Sequence, residues 1–281
     1  MNNLAIFNSV SYHCSQAVTK AYSTSFFSAI KLLRKDLRKP ICAIYGMVRF
    51  ADEIVDTFHQ HEKERLLGEF RKETFKAITT GISLNPILQS FQQTVKRYNI
   101  EAELISAFFR SMELDLNKQT YVDEQEYREY IYGSAEVVGL MCLCVFCDGD
   151  KNQFNSLKEH AKALGAAFQK INFLRDLQSD VEDLERSYFP GFQKTCFTEL
   201  KKREIERDIE YDFKMGYEGI RQLPISARFG VYVAYRYYMA LFKKVKRANA
   251  HTIMEQRIRI PNHVKFAIVL KAGLRNQLNL I

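Results

Sequence analysis

An all-α fold follows from three observations. Apolar residues recur at helical spacing along nearly the whole chain, and no stretch of useful length alternates with the two-residue period of a strand. Residues that punctuate helices, such as Gly81 and the Asn85-Pro86 pair, fall between the periodic segments. A chain of 281 residues can bury a large core. No repeat, linker or low-complexity tract divides it, so residues 1–281 are expected to form one domain. The expected architecture is a multi-helix bundle whose functional groups face a central cavity.

The elements follow in order. Asn8–Leu33 is periodic, with a polar interruption at Tyr22-Ser-Thr-Ser25. Pro40 suits the first position of the next helix, which carries Ile41, Ile44, Val48 and Phe50 and ends near Phe58. Glu62–Thr80 is amphipathic and stops at Gly81, a residue that readily adopts the left-handed cap. Asn85-Pro86 opens a helix to about Tyr98. Glu101–Asn117, Glu124–Cys147 and Asn152–Leu184 follow, then a loop around Ser187-Tyr-Phe-Pro190-Gly191. Glu199–Leu223, Ser226–Asn249 and Asn262–Leu278 complete the bundle.

Composition narrows the function classes. With 47% hydrophobic and 26% charged residues, and only 12 Gly and 5 Pro, the chain is neither disordered nor turn-rich all-β. The net charge of +8 asks for an anionic partner: nucleic acid, an anionic lipid surface or a phosphorylated substrate. The basic residues are dispersed and no nucleic-acid-binding motif appears, so nucleic acid is not expected. The apolar run Val137–Phe146 is short for a membrane span, and Met1–Val10 lacks a secretory pattern. A cytoplasmic protein is expected, one that meets a membrane, if at all, peripherally from the inner face. The six cysteines include Cys142-x-Cys144-x-x-Cys147, but apolar neighbours and the scatter of the thiols around a helix mark them as small buried hydrophobes.

The chemistry sits in two stretches. In Gln169-Lys-Ile-Asn172-Phe-Leu-Arg175-Asp176-Leu-Gln-Ser-Asp180, residues Gln169, Asn172, Asp176 and Asp180 fall within roughly 80° of one another on a helix. An isolated pair of this kind is most simply a solvated acidic face. However, Tyr45-Gly-Met-Val-Arg49-Phe-Ala-Asp52-Glu-Ile-Val-Asp56 repeats the pattern, with Tyr45, Arg49, Asp52 and Asp56 within about 60°. The flanking residues Ile44, Val48, Val55, Ile171, Leu174 and Val181 are core-like. Two acidic lines bordered by apolar surface fit a cavity, where unpaired carboxylates would cost several kcal/mol each. Divalent cations resolve that cost. Oxygen ligands without His or thiolate suit Mg²⁺ or Mn²⁺ rather than Zn²⁺. Mg²⁺ held by few carboxylates takes further ligands from water and phosphate oxygens, which points to a diphosphate substrate with Arg49 and Arg175 on its remaining oxygens.

Five stretches then occur in a fixed order: Ser23-Thr-Ser25-Phe26, Ala43-Ile-Tyr45, Arg49-x-x-Asp52-x-x-x-Asp56, Tyr132-Gly-Ser-Ala-Glu-Val-Val138-Gly139-Leu-Met, and Gln169-x-x-Asn172-x-x-Arg175-Asp176-x-x-x-Asp180. In this the chain resembles the squalene/phytoene synthase family, the head-to-head prenyl synthases, and within it the bacterial phytoene synthases. The match is clearest from Ser23 to Pro190. The resemblance implies an all-α isoprenoid-synthase fold and Mg²⁺-dependent condensation of two geranylgeranyl diphosphates to phytoene, in carotenoid biosynthesis, through prephytoene diphosphate. It implies Asp52, Asp56, Asn172, Asp176 and Asp180 as metal ligands. Ser23, Ser25, Tyr45, Arg49, Tyr132, Gln169 and Arg175 would meet the substrate, and Tyr45, Arg49, Asp52, Asp56, Asp176 and Asp180 would carry catalysis. No segment reads as a nicotinamide site or as the C-terminal anchor of eukaryotic squalene synthases, so NADPH is not expected.

The chain departs from the family pattern in places. Ser179 stands where the family often has Glu, with Asp180 or Asp183 as substitutes. The Asp180–Pro190 loop is one residue longer than usual. Ala250 and His251 occupy the place of an expected Tyr, which weakens the carry-over past Ser226, including Lys265 as a phosphate contact. Phe26, Phe27, Phe50, Val137, Val138, Leu140, Met141 and Phe168 are candidates to line a dry cavity, with ordinary core packing as the alternative for each. The ring faces of Tyr45 and Tyr132 would stabilise cations. The proton acceptor is either the released diphosphate or a Tyr. Lys31–Lys39 and Lys243–Arg247 read as lipid-headgroup contacts or as solvated helix faces. Squalene or dehydrosqualene synthesis from farnesyl diphosphate is the alternative activity; a non-catalytic assembly protein is the alternative class. The sequence does not give the oligomeric state.

Overall fold

The computed structural model describes residues 2–117, 120–121, 123–182, 186–190 and 197–278. Among these residues there are thirteen α-helices, one π-helical turn and no strand; Thr120 and Ser187 form an isolated parallel bridge. The helices are α1 (Asn3–Tyr22), α2 (Thr24–Ile30), α3 (Lys35–Asp56), α4 (Lys63–Thr80), α5 (Pro86–Tyr98), α6 (Ala102–Asn117), α7 (Glu124–Ile131), α8 (Val137–Phe146), α9 (Lys151–Glu182), α10 (Glu199–Gln222), α11 (Ile225–Arg247), α12 (Ala250–Glu255) and α13 (Asn262–Gln277).

The polar interruption expected near residue 23 is a true break. Ser23 is extended, its N–H closes α1 on the Thr19 carbonyl at 3.0 Å, and its Oγ caps α2 by accepting from the Phe26 N–H at 3.3 Å. Pro40 is not at the start of α3 as the sequence predicts. The helix begins five residues earlier, so Pro40 lies inside it and leaves the Asp36 carbonyl without its usual donor. The early start extends the buried stripe of α3 back to Leu37, which is fully enclosed with Ile41, Ile44, Met47, Ala51 and Val55. Gly81 caps α4 at φ 74°, and the Asn85 side chain accepts from the Ile87 N–H at 3.0 Å with Pro86 as the first residue of α5, both as expected.

The predicted helix Glu124–Cys147 is interrupted. Residues Tyr132–Glu136 form a π turn between α7 and α8. Gly133 permits the turn to lie against α6, since a Cβ there would stand 2.7 Å from the Ala107 carbonyl oxygen. By length and mean hydropathy (1.4) the stretch Glu124–Phe146 would pass for a membrane span, but its faces pack on α3, α6 and α9. The cysteines of α8 are free thiols, raised by burial (Cys142 to about 12, Cys147 to about 11), as expected for core residues; Cys196 lies outside the described residues. A short helix that the sequence reading misses, α12, is capped by Asn249, whose side chain accepts from the Thr252 N–H at 2.7 Å.

Two packed bodies result. Helices α3, α5, α6 and α8 enclose one core around Met47, Phe91, Phe108 and Met141. Helices α9, α10 and α11 enclose the other around Ile171, Leu174, Phe213 and Phe242. Buried Lys170 pins α9 to α10 through Asp212 at 2.7 Å and Asp208 at 2.5 Å. Between the two bodies lies a cavity.

Candidate active site

The cavity has a volume of about 300 Å³ and is walled almost wholly by apolar groups. Its walls come from α2, α3, α8, α9, α10 and α11. One end is framed by Tyr45, Gln169, Asn172 and Tyr238; the walls elsewhere include Leu143, Leu157, Ile220 and Leu223. Small residues let its helices approach closely: a Cβ on Gly139 would stand 2.8 Å from the Ala161 carbonyl oxygen, and one on Gly165 2.7 Å from that of Ala135.

Of the predicted lining residues, Phe26, Val138 and Phe168 reach the cavity. Phe27, Phe50, Val137, Leu140 and Met141 do not; they pack in the α3–α5–α6–α8 core. Helical register gives the reason. Val138, Gly139, Cys142, Leu143 and Phe146 share the cavity face of α8, leaving Val137, Leu140 and Met141 on the other side. Tyr132 is likewise outside the cavity. The π turn presents Ser134 and Ala135 inward, and Tyr132 lies instead in a separate hollow with Ser111, its ring 5.9 Å from the Lys162 Nζ. Ser25 is half-buried and forms no part of the cavity wall.

An aromatic collar closes the polar end. Phe168 and Tyr238 stack at 3.9 Å, and Phe26 stands 5.8 Å from Tyr238, 6.2 Å from Phe168 and 6.2 Å from Tyr45. Tyr45 is hydrogen-bonded to Ser23, and burial raises its hydroxyl to about 12, with Arg49 opposing. Asn172 donates to Gln169 Oε1 at 3.4 Å and accepts from the Tyr238 hydroxyl at 3.3 Å. Both sequence-predicted amides are therefore in place, joined by a tyrosine that the sequence reading missed.

From Tyr45 and Asn172, α3 and α9 both continue outward, and the four predicted aspartates follow one to three helical turns beyond the collar. On α3, Arg49 pairs with Asp52 at 2.6 Å and with Glu53, and its guanidinium lies 4.4 Å from the Tyr22 ring centroid. Burial, and then Asp56 one turn on, push the Asp52 carboxyl well above its ordinary range. On α9, Arg175 pairs with Asp176 at 2.5 Å. Burial, then Asp176 and then Asp56 raise Asp180 to about 8, so the two acidic lines face one another closely enough to interact. Among the described residues Asp180 has no hydrogen bond or ion pair on its carboxyl group. Ser179 turns away and donates to its own helix at the Asp176 carbonyl (3.0 Å). Asp183, the other expected substitute, lies outside the described residues.

Two arginines absent from the sequence reading complete the site. Arg186, almost fully buried, donates to Asp56 at 2.8 Å and to the Asp115 carbonyl at 2.7 Å, while its own N–H donates to the Asp180 carbonyl at 2.8 Å. It therefore ties the α9 line to the α3 line. Behind it Tyr130 donates to Asp115 at 2.7 Å, and Tyr188 stacks on Phe173 at 4.0 Å. Arg257, in the loop after α12, pairs with Asp176 at 2.6 Å. The only sequence cues were a lone Arg opening an aromatic loop and a basic run after Glu255.

Among the described residues no three His, Cys, Asp or Glu side chains converge on one point as a ready-made metal centre. The donor set nonetheless fits hard divalent cations shared with a phosphorylated ligand. It offers carboxylates in pairs, on two opposed helices, in surroundings that disfavour their charge, with arginines between them. Below them is an apolar chamber. The arrangement can hold an anionic head at the rim and a hydrocarbon tail within.

Comparison with known proteins agrees. The squalene/phytoene synthase family model matches residues 19–263. A phytoene synthase of Arthrospira platensis is 26% identical, covering 94% of this chain and 93% of its own. A 15-cis-phytoene synthase of Synechocystis is 27% identical over 95% and 85%. A 4,4'-diapophytoene synthase of Staphylococcus haemolyticus is 27% identical over 70% and 67%. Among solved structures, a dehydrosqualene synthase superposes with a TM-score of 0.83 at 17% identity, covering 96% and 98%, and a squalene synthase of Alicyclobacillus acidocaldarius with 0.75 at 18%, covering 86% and 95%. Five ordered motifs, a helical chamber under paired aspartates and a family match over most of its length converge: the chain belongs to the squalene/phytoene synthase family and is a head-to-head prenyltransferase of that type.

Proposed function

We propose that the protein condenses two molecules of geranylgeranyl diphosphate head to head to phytoene through prephytoene diphosphate, in carotenoid biosynthesis. The observation that carries this reading is the apolar chamber opening beneath two acidic helices. The near-full-length similarity to phytoene synthases favours the C20 substrate. Asp52, Asp56, Asn172, Asp176 and Asp180 would hold Mg²⁺, or Mn²⁺, which supplies charge neutralisation to the departing diphosphate. Arg175 and Arg257 flank the same carboxylate and would turn to the diphosphate oxygens. The first ionisation leaves an allylic cation, the double bond of the second substrate attacks it, and proton loss closes the cyclopropane. The second ionisation opens the ring, and a final proton loss gives the conjugated triene. The collar of Phe26, Tyr45, Phe168 and Tyr238 presents ring faces to such cations, and the apolar wall keeps out the water that would quench them.

The similarity to a diapophytoene synthase and to a dehydrosqualene synthase supports a second reading, a C30 product from farnesyl diphosphate. Each diphosphate is supplied separately with Mg²⁺ and without NADPH, and the hydrocarbon is identified. Phytoene from geranylgeranyl diphosphate is expected. A C30 hydrocarbon with geranylgeranyl diphosphate left untouched would replace the first reading by the second. No hydrocarbon from either would overturn both.

A further inference from the structure

The fold leaves one helix face apolar and uncovered. α13 buries Ile268 and Ala272, while Phe266, Leu270, Leu274 and Leu278 are 67%, 55%, 61% and 68% exposed. Spaced four apart, these side chains fall within about 120° of one another. Exposed hydrophobics elsewhere among the described residues form no such row: Leu200 has no exposed large hydrophobic within two turns on α10, Ile82 and Leu84 share a loop, and on α1 only Ile6 and Val10 fall on one face, with Leu4 on another. Four large apolar residues in a row on one face mark an interaction surface.

Charge indicates what covers it. From Ile258 to Ile281 the chain has four basic residues, Arg259, Lys265, Lys271 and Arg275, and no acidic one, against a net charge of +8 for the whole. Lys271 and Arg275 border the stripe by helical register. The basic end of α11 adjoins this segment: Lys244 donates to the Arg259 carbonyl at 2.7 Å. A second copy seated on the same face would bring two such basic surfaces together and be repelled. An anionic bilayer matches both the stripe and its border.

The buried face of α13 adds a reason for that location. Ile268 and Ala272 pack in the same cluster as Leu143, Leu157, Ile220 and Leu223, which line the cavity. We propose that α13 is a membrane-docking helix: it lies in the headgroup plane of an anionic bilayer with Phe266, Leu270, Leu274 and Leu278 inserted, setting this wall of the cavity beside the lipid. Within the basic stretch Lys31–Lys39, two of the cations are engaged inside the protein. Arg34 there is committed to Asp36 at 2.7 Å, and Arg38 to the Leu33 carbonyl at 2.8 Å.

The chain contains no Trp, so Phe266→Trp places a single reporter on the stripe. With the full-length protein and no substrate, its emission is expected to shift to the blue on adding vesicles that contain phosphatidylglycerol, and to stay unchanged with pure phosphatidylcholine. Flotation with the same vesicles should show a loss of at least 100-fold in partitioning for Leu270→Glu with Leu274→Glu. Each basic residue near such a surface contributes about fivefold. Lys271→Gln with Arg275→Gln is therefore expected to cost about 25-fold. Thermal melts check that the variants fold; if the double Glu variant does not, the Trp reporter decides alone. An unshifted reporter with anionic vesicles, or unchanged flotation of a folded double Glu variant, overturns the proposal. So does a shift that follows protein concentration without lipid and accompanies a doubling of sedimented mass, since that assigns the stripe to self-association.

Discussion

The two acidic lines are near-copies in sequence, each an Arg followed by two Asp four apart, yet they are held in different ways. The α3 line is anchored from within. Arg49 engages Asp52 and Glu53, and buried Arg186 reaches Asp56 from the opposite side of the site. The α9 line is held from the rim: Asp176 is shared by Arg175 and by Arg257, which is 46% exposed, while Asp180 has no partner among the described residues. One line is built into the bundle, and the other keeps a carboxyl group that no described residue engages. The difference teaches that a repeated motif fixes which groups are offered, whereas distant arginines fix how freely each can respond to a ligand.

The largest expected effect ignores the difference. If both lines hold metal, Asp52→Ala and Asp176→Ala should each lower turnover by about 10³-fold or more while helical circular dichroism is unchanged. Activity within tenfold of wild type in either would refute the metal assignment for that line. Arg186→Ala should separate the lines. Removing one partner of a mostly buried pair costs about 3 kcal/mol, so its melting temperature should fall by several degrees, with Arg186→Lys restoring part of the loss. Arg257→Gln should behave in the opposite way. An exposed pair contributes under about 1 kcal/mol to stability, so its melt should hardly move while KM for the diphosphate rises about tenfold. Equal melts for the Arg186 and Arg257 variants would erase the proposed contrast.

The smallest effect concerns pH. Asp180 has an ordinary value near 3.8 and is raised to about 8 in the fold. The folded state therefore binds more protons than the unfolded state between these values, and stability from this group declines as pH rises through that window. The metal-free protein should melt lower at pH 8 than at pH 5.5. Asp180→Asn should flatten the slope, and Mg²⁺ with inorganic diphosphate should flatten it by favouring the ionised form. A melt that rises with pH across this range would show that Asp180 is not held neutral.

Most of the helices, and both acidic lines, were legible because they rest on local periodicity. Gly81 and Asn85-Pro86 marked boundaries by the backbone chemistry of single residues. Where three-dimensional packing decided, sequence reasoning failed. Pro40 was read as a start because the enclosure of Leu37 cannot be seen locally. Tyr132 was expected to meet the substrate, and for Leu140 and Met141 both cavity and core stayed open, because the π turn that sets the register of α8 leaves no periodic trace. Arg186 and Arg257 were missed because each acts on an aspartate 130 or 81 residues away.

The α3 line ends its helix: α3 stops at Asp56, with no basic residue in its last turn. The aligned peptide dipoles of α3 thus terminate beside the carboxylates with about half a negative charge. Side chains that repel one another are placed where the backbone already repels anions, an arrangement that weakens the helix end unless a cation arrives. Isosteric Asn replacements would consequently leave a residual attraction for divalent ions, supplied by main-chain carbonyls. Binding of an ion should also tighten amide exchange in the final turn of α3 before it alters any other part of the bundle.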